Sequence, residues 1–188
     1  MAGMNAKTIL VPLADGFEES EAVIVVDVLR RAGFEVLIAG LSGRSATGSH
    51  RISVATDCLL SEISPESFDA IVLPGGMPGS VKLRESSAVE AAALSISARG
   101  GLVAAICAAP MALAKFGLLK GRKATCYPGF EDQLLGAVHT GARVERDGLL
   151  VTGKGAGTAF EFAAAVCEAL GMPKEAVQKL MDGMIVKP

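Results

Sequence analysis

The decisive stretch is Leu102-Val103-Ala104-Ala105-Ile106-Cys107-Ala108-Ala109-Pro110-Met111. Gly100-Gly101 punctuates its start, residues 102–106 form the short, fully apolar run that suits a buried parallel strand, and Pro110 suits the first turn of a helix. Cys107 therefore falls at a strand-to-helix turn. The first turn of a helix presents unpaired N–H groups and a partial positive charge, both of which favour a thiolate, so a lowered pKa is expected for Cys107. Ala105 and Ala109 are small, as a sharp nucleophile-elbow turn requires. A free cysteine is equally at home as a small apolar filler of a core. Other segments must decide between the two.

Working outward, the pattern is one of alternating strands and helices. Residues 7–13 (KTILVPL) read as a first strand, followed by the turn Ala14-Asp15-Gly16-Phe17. A helix then runs from about Glu18 to Ala32, with acids in its first turn, Arg30-Arg31 in its last and Gly33 beyond, the polarity that the helix dipole favours. Residues 34–40 form a second strand, and the Gly/Ser-rich connection 41–52 has room for a short strand or two. A third strand, 70–73, ends in Pro74-Gly75-Gly76-Met77-Pro78-Gly79, and residues 86–98 form an Ala-rich helix. After the 102–106 strand come a helix at 108–115, a strand ending at Thr125-Cys126-Tyr127-Pro128 and a short helix at 131–138. A hairpin follows at 142–152 around Asp147-Gly148, then helices at 158–170 and after Pro173. This β-α-β order predicts a single α/β domain, residues 1–188, built on a mainly parallel sheet.

Composition narrows the function classes. Eighteen basic against 20 acidic residues give a net charge of −2, with no basic stripe, and aromatics are only 4%, which argues against nucleic-acid binding. The longest apolar run, 102–114, is too short to span a bilayer, and residues 1–13 read as a strand and not a signal peptide, so a soluble cytoplasmic protein without membrane association is expected. Cys58, Cys107, Cys126 and Cys167 lack CxxC pairing and are spread too widely for a zinc site or a disulfide framework. Gly153, Gly155 and Gly157 do not complete a dinucleotide fingerprint. No metal and no cofactor are therefore expected.

In a parallel sheet the loops that follow successive strands converge at one edge, which brings Gly75-Gly76, Cys107 and the acids Glu18, Glu19 and Glu21 together. Gly75-Gly76 offers free backbone N–H groups to an oxyanion. Glu18 and Glu21 share a helix face while Glu19 points elsewhere. An acid lying against Cys107 must be protonated, because a neutral carboxyl can donate to sulfur whereas a carboxylate opposes a thiolate. The two histidines, His50 and His139, lie in polar, glycine-flanked segments and read as solvated loop residues, so a Cys-His arrangement is disfavoured.

These segments carry a resemblance that runs nearly end to end. Ala14-Asp15-Gly16-Phe17-Glu18-Glu19-Ser20-Glu21-Ala22, Val26-Asp27-Val28-Leu29-Arg30-Arg31-Ala32-Gly33, Val72-Leu73-Pro74-Gly75-Gly76, Ala104-Ala105-Ile106-Cys107-Ala108-Ala109-Pro110 and Gly155-Ala156-Gly157-Thr158-Ala159-Phe160-Glu161-Phe162 resemble the ThiJ/PfpI superfamily, in particular its parkinsonism-associated deglycase branch and bacterial relatives. The resemblance implies a flavodoxin-like three-layer sandwich, usually homodimeric. It also implies Cys107 as the reactive elbow cysteine, Glu21 as its protonated partner, and Gly75, Gly76 and Ala108 as backbone donors. Arg51, and Arg31 from a second subunit, resemble arginines that place positive charge near the pocket. Tyr127 departs from relatives that carry a histidine before this proline. The implied activities are glyoxalase III or deglycase chemistry on 2-oxoaldehydes such as methylglyoxal. The alternative is a redox-sensing chaperone that uses oxidation of the same cysteine.

Overall fold

The computed structural model describes residues 6–186. The first five, part of the segment weighed as a leader, lie outside them. In chain order the elements are β1 (Thr8–Leu13), α1 (Glu19–Arg31), β2 (Glu35–Gly40), β3 (Ser45–Thr47), β4 (Ser53–Ala55), β5 (Cys58–Leu59), β6 (Ala70–Leu73), α2 (Gly79–Glu85), α3 (Ser87–Ala98), β7 (Leu102–Ile106), α4 (Pro110–Lys115), β8 (Lys123–Ala124), β9 (Val138–His139), β10 (Val144–Asp147), β11 (Leu150–Gly153), α5 (Ala159–Ala169) and α6 (Lys174–Gly183). The central sheet has the order β10-β11-β7-β6-β1-β2-β5. Every neighbouring pair in it is parallel except the β10–β11 hairpin. The mainly parallel sheet is the one the β-α-β order predicts, and the flavodoxin-like sandwich is the one the family resemblance implies.

Strand periodicity divides the core into two layers. Ile9, Val11, Val72, Ala104, Ile106 and Val151 face one side, where α1, α5 and α6 cover them. Leu10, Ile71, Leu73, Val103, Ala105 and Leu150 face the other, against α3 and α4. Because both faces are covered, the central strands are apolar at every position instead of alternating. Helix α1 forms despite Val23, Ile24, Val25, Val26 and Val28, since its buried stripe of Ala22, Val25, Val26 and Leu29 is worth more than the modest propensity cost of β-branched residues.

Three sequence expectations are corrected. The strand expected to end at 125–128 stops at Ala124, because the backbone beyond it is drawn to other partners: Thr125 N–H donates to Thr152 Oγ1 at 2.9 Å and Tyr127 N–H to the Cys107 carbonyl at 2.9 Å. The helix expected at 131–138 is a single turn, Glu131–Gln133, broken before Gly136, whose φ is +78°. Helix α2 was hidden by the glycines and prolines of 74–79, and α4 starts at Pro110 because residues 107–109 form the elbow.

Chain order along the sheet reverses between β1 and β6: the chain steps outward from β1 to β2 on one side and through β6 and β7 on the other. The loops leaving the C-terminal ends of β1, β6 and β7 thus lie side by side at a topological switch point, where open α/β sheets place their ligands.

Candidate active site

Cys107 occupies the turn between β7 and α4 with φ of +64°, a left-handed conformation that is costly for a residue with a side chain. The surroundings hold it there from both ends. Its N–H donates to the Gly153 carbonyl at 2.9 Å, its own carbonyl accepts from Tyr127 N–H at 2.9 Å, and Ala109 N–H closes the turn onto the Ile106 carbonyl at 3.1 Å. The side chain is thereby lifted off the strand toward the loop after β6. The Gly76 and Ala108 N–H groups hydrogen-bond the sulfur.

Glu21 reaches this sulfur from the first turn of α1. It has no exposed surface. Its Oε2 accepts from Gly75 N–H at 2.9 Å, and its carboxyl stands against the Cys107 thiol. Oε1 is buried without an N–H or O–H donor among the described residues. Of the three backbone donors expected around the site, Gly75 holds Glu21, and Gly76 and Ala108 face the thiol. Gly75 is required by closeness, since a Cβ there would stand 2.4 Å from Glu21 Oε2 and 2.5 Å from Cys107 Cβ. Gly76 is required by conformation as well, with φ of +91° and backbone of Phe17 and Glu18 within 2.4 Å of a would-be Cβ.

Burial raises Glu21 to about 7, against the downward pull of Cys107 and Gly75, and the nearby charge of Glu18 adds to the rise. For Cys107 the expectation of a lowered pKa is corrected. Burial first, then the negative charge of Glu21, push the thiol up to about 12, against the Gly76 and Ala108 N–H groups. The Glu21 contribution exists only while Glu21 is ionised. A thiolate at Cys107 therefore depends on the proton resting on Glu21, and the two groups titrate as one pair.

The other acids of this turn do different work. Glu19, 6% exposed, accepts at Oε1 from the backbone of His50 at 2.7 Å and Ile52 at 3.3 Å, and its Oε2 lies 2.9 Å from His50 Nδ1. Despite the upward push of burial, these bonds hold it down at about 2. Glu18 precedes the helix; its Oε1 accepts from Ser20 Oγ at 2.8 Å and its Oε2 stands 3.5 Å from His50 Nδ1. His50 is solvent-facing as expected, yet it is anchored to both acids, a pairing across 31 residues with no signal in the local sequence.

Arg51 sits next to His50 on the exposed loop between β3 and β4, with φ of +69°. Arg31 ends α1, ten residues and about 15 Å of helix beyond Glu21, and pairs with Asp27 at 2.9 Å. Within one chain it is not part of the site. Tyr127 is half exposed; its ring packs where a Cβ on Gly155 would lie 3.1 Å away, and its N–H bonds the elbow carbonyl, so it stands beside Cys107. Cys126 and Cys167 are buried, and burial pushes their thiols up to about 11 and about 12.

An α/β sandwich with a strained cysteine at the switch point, backed by a buried carboxyl, defines the nucleophile-elbow class of proteins. Residues 7–169 match the DJ-1/PfpI family, and the chain belongs to that family. A crystal structure of Drosophila melanogaster DJ-1beta superposes with a TM-score of 0.91 at 42% identity, covering 98% of this chain and 100% of the other. The glutathione-independent glyoxalase DJR-1.2 of Caenorhabditis elegans is 34% identical over 93% of this chain and 94% of its own length. The deglycase PYRAB04690 of Pyrococcus abyssi is 41% identical over 69% of this chain and 77% of its own.

Proposed function

We propose that the protein converts small 2-oxoaldehydes such as methylglyoxal to 2-hydroxy acids at Cys107, with deglycation of early aldehyde adducts drawing on the same first step. The observation that carries this reading is the convergence on one sulfur of a protonatable carboxyl, Glu21, and two backbone N–H groups, Gly76 and Ala108. The glyoxalase and deglycase among the relatives support the same chemistry.

The Cys107 thiolate attacks the aldehyde carbon, forming the C–S bond as the carbonyl π electrons move to oxygen. The backbone N–H groups stabilise that oxyanion, and Glu21 gives it a proton, leaving a neutral hemithioacetal and a Glu21 carboxylate. The carboxylate then removes the hydrogen on the former aldehyde carbon as a proton, generating an enediolate, and returns that proton to the adjacent carbon while the hydroxyl proton passes to the neighbouring oxygen. The product of that shift is a thioester on Cys107. Water cleaves it, releasing lactate in the case of methylglyoxal and restoring the thiolate beside protonated Glu21. Atoms balance as methylglyoxal plus water, with no external electron acceptor.

The test is the rate of lactate formation from methylglyoxal in buffer free of amines and added thiols. Turnover by the wild type that disappears in Cys107→Ser supports the reading; equal turnover in the variant defeats it. The reading also pairs two chains, because Arg31 can approach a thiol only from another copy. We place that copy against the groove of about 270 Å³ lined by Leu13, Ala22, Val23, Val26, Arg30 and Val54.

A second reading is favoured by the same three donors, which also suit the oxygens of a sulfinate. Here two equivalents of peroxide are reduced to water as the thiolate gains two oxygen atoms, and the oxidised cysteine serves as a signal. Intact-mass and peptide analysis after mild peroxide tests it. The reading fails if another thiol gains oxygen before Cys107.

A further inference from the structure

Outside the thiol, Glu18, Glu19 and His50 form a cluster whose ligand atoms all lie within 4.8 Å of one another. Its internal arrangement is unusual for a plain ion pair. Each carboxylate is oriented through its Oε1, Glu18 by Ser20 Oγ and Glu19 by the backbone N–H groups of His50 and Ile52. Each then directs its Oε2 at the same atom, His50 Nδ1, at 3.5 Å from Glu18 and 2.9 Å from Glu19. The imidazole N–H satisfies Glu19 Oε2, which Ser49 Oγ also approaches at 3.5 Å while lying 3.2 Å from Nδ1, and Glu18 Oε2 is left without a close donor among the described residues. Two carboxylate oxygens and an imidazole nitrogen therefore lie together, with one oxygen, Glu18 Oε2, not held by a short hydrogen bond.

We propose that this cluster is a binding site for a divalent transition-metal ion of the zinc type, with Glu18 Oε2, Glu19 Oε2 and His50 Nδ1 as its ligands. A tetrahedral ion with bonds of about 2.0 Å holds its ligands roughly 3.3 Å apart, which falls between the two distances from Nδ1. One imidazole and two carboxylates suit a borderline ion over calcium or magnesium, which favour all-oxygen shells. The Ser20 and backbone hydrogen bonds are the outer contacts that keep ligands aimed in metal sites. The loop carrying His50 is tied down independently, since Ser49 N–H donates to the Phe17 carbonyl at 2.8 Å and Gly48 N–H to the Ile52 carbonyl at 2.9 Å. The α1 dipole opposes a cation with about half a charge at its N-terminus, but two carboxylates outweigh it. Three protein ligands leave the remaining position open to water or to a group from outside.

The chain has only two histidines, so their ring signals in NMR separate this site from any metal held by thiols. Zn²⁺ titrated into the full-length reduced protein should shift the His50 ring resonances with one equivalent bound and leave His139 in place. Affinity should fall about tenfold or more in Glu18→Gln, and in His50→Ala as followed by calorimetry, both on a Cys107→Ser background that removes the competing thiol. Glu18→Gln leaves the Glu19 anchor of the loop intact, so a loss there is not a loss of fold. His50 signals that stay fixed through millimolar Zn²⁺, or an affinity unchanged in either variant, overturn the proposal.

Discussion

Glu19 and Glu21 stand two residues apart on one turn of one helix, both withdrawn from solvent, and they are driven to opposite charge states. Glu19 meets two backbone N–H groups and an imidazole, and it is held down at about 2. Glu21 meets one N–H and a thiol, and burial lifts it to about 7. Burial penalises the charged form of each; the number and kind of donors decide which form survives. One acid thereby becomes a structural anion that fixes the loop between β3 and β4. Its neighbour becomes a proton store facing a nucleophile.

The contrast breaks most completely when the atom that Glu21 serves is removed. Cys107→Ser is expected to lower lactate formation by on the order of 10³-fold or more, because a serine hydroxyl beside a carboxylic acid has no base to activate it. Glu21→Gln removes the proton store while keeping its shape, and a loss of roughly 10²-fold in kcat/KM is expected. The same variant carries a stability signature. The Glu21 pKa is raised on folding, so wild type loses stability relative to Glu21→Gln as pH climbs from 4.5 through about 7. Denaturant titrations on either side of that window should differ by on the order of 3 kcal/mol. A pH-independent gap would contradict the protonated assignment.

Gly75→Ala attacks the spacing instead of the chemistry. Its methyl would press on both Glu21 and Cys107, and we expect roughly 10²-fold less activity together with a lower Tm. Glu19→Gln should act on the opposite member of the contrast and give the smallest effect. A melting temperature lower by roughly 5 °C at pH 7 is expected, with thiol chemistry little changed. Since the Glu19 pKa is depressed on folding, its contribution is present above 4.5 and lost as pH falls toward 2, so the difference between variant and wild type should close over that interval.

The sequence conveys the contrast only in part. The strands and helices that frame the site are written in short apolar runs, helix-end charges and glycine pairs, and the convergence of Glu21, Gly75-Gly76 and Cys107 follows from parallel topology. Choosing Glu21 over Glu18 and Glu19 required the family resemblance, because helical spacing alone leaves Glu18 and Glu21 on one face. What local sequence could not convey are the contacts made at long range. Burial of Cys107 and the charge of its partner reverse the lowered pKa that the helix N-terminus alone suggests. The Glu19–His50 anchor depends on where a glycine-rich loop folds back, and the backbone from Thr125 to Tyr127 leaves the expected strand because Thr152 and the elbow carbonyl bind it.

The central claim is that Cys107 and Glu21 share one proton, and the most direct measurement is the pH dependence of Cys107 alkylation, followed by mass spectrometry in wild type and Glu21→Gln. The account predicts a midpoint well above that of an ordinary thiol in wild type, where Glu21 is ionised above about 7 and its charge opposes the thiolate, and a midpoint displaced downward in Glu21→Gln, where that charge is gone. An ordinary thiol midpoint, identical in both proteins, would contradict it.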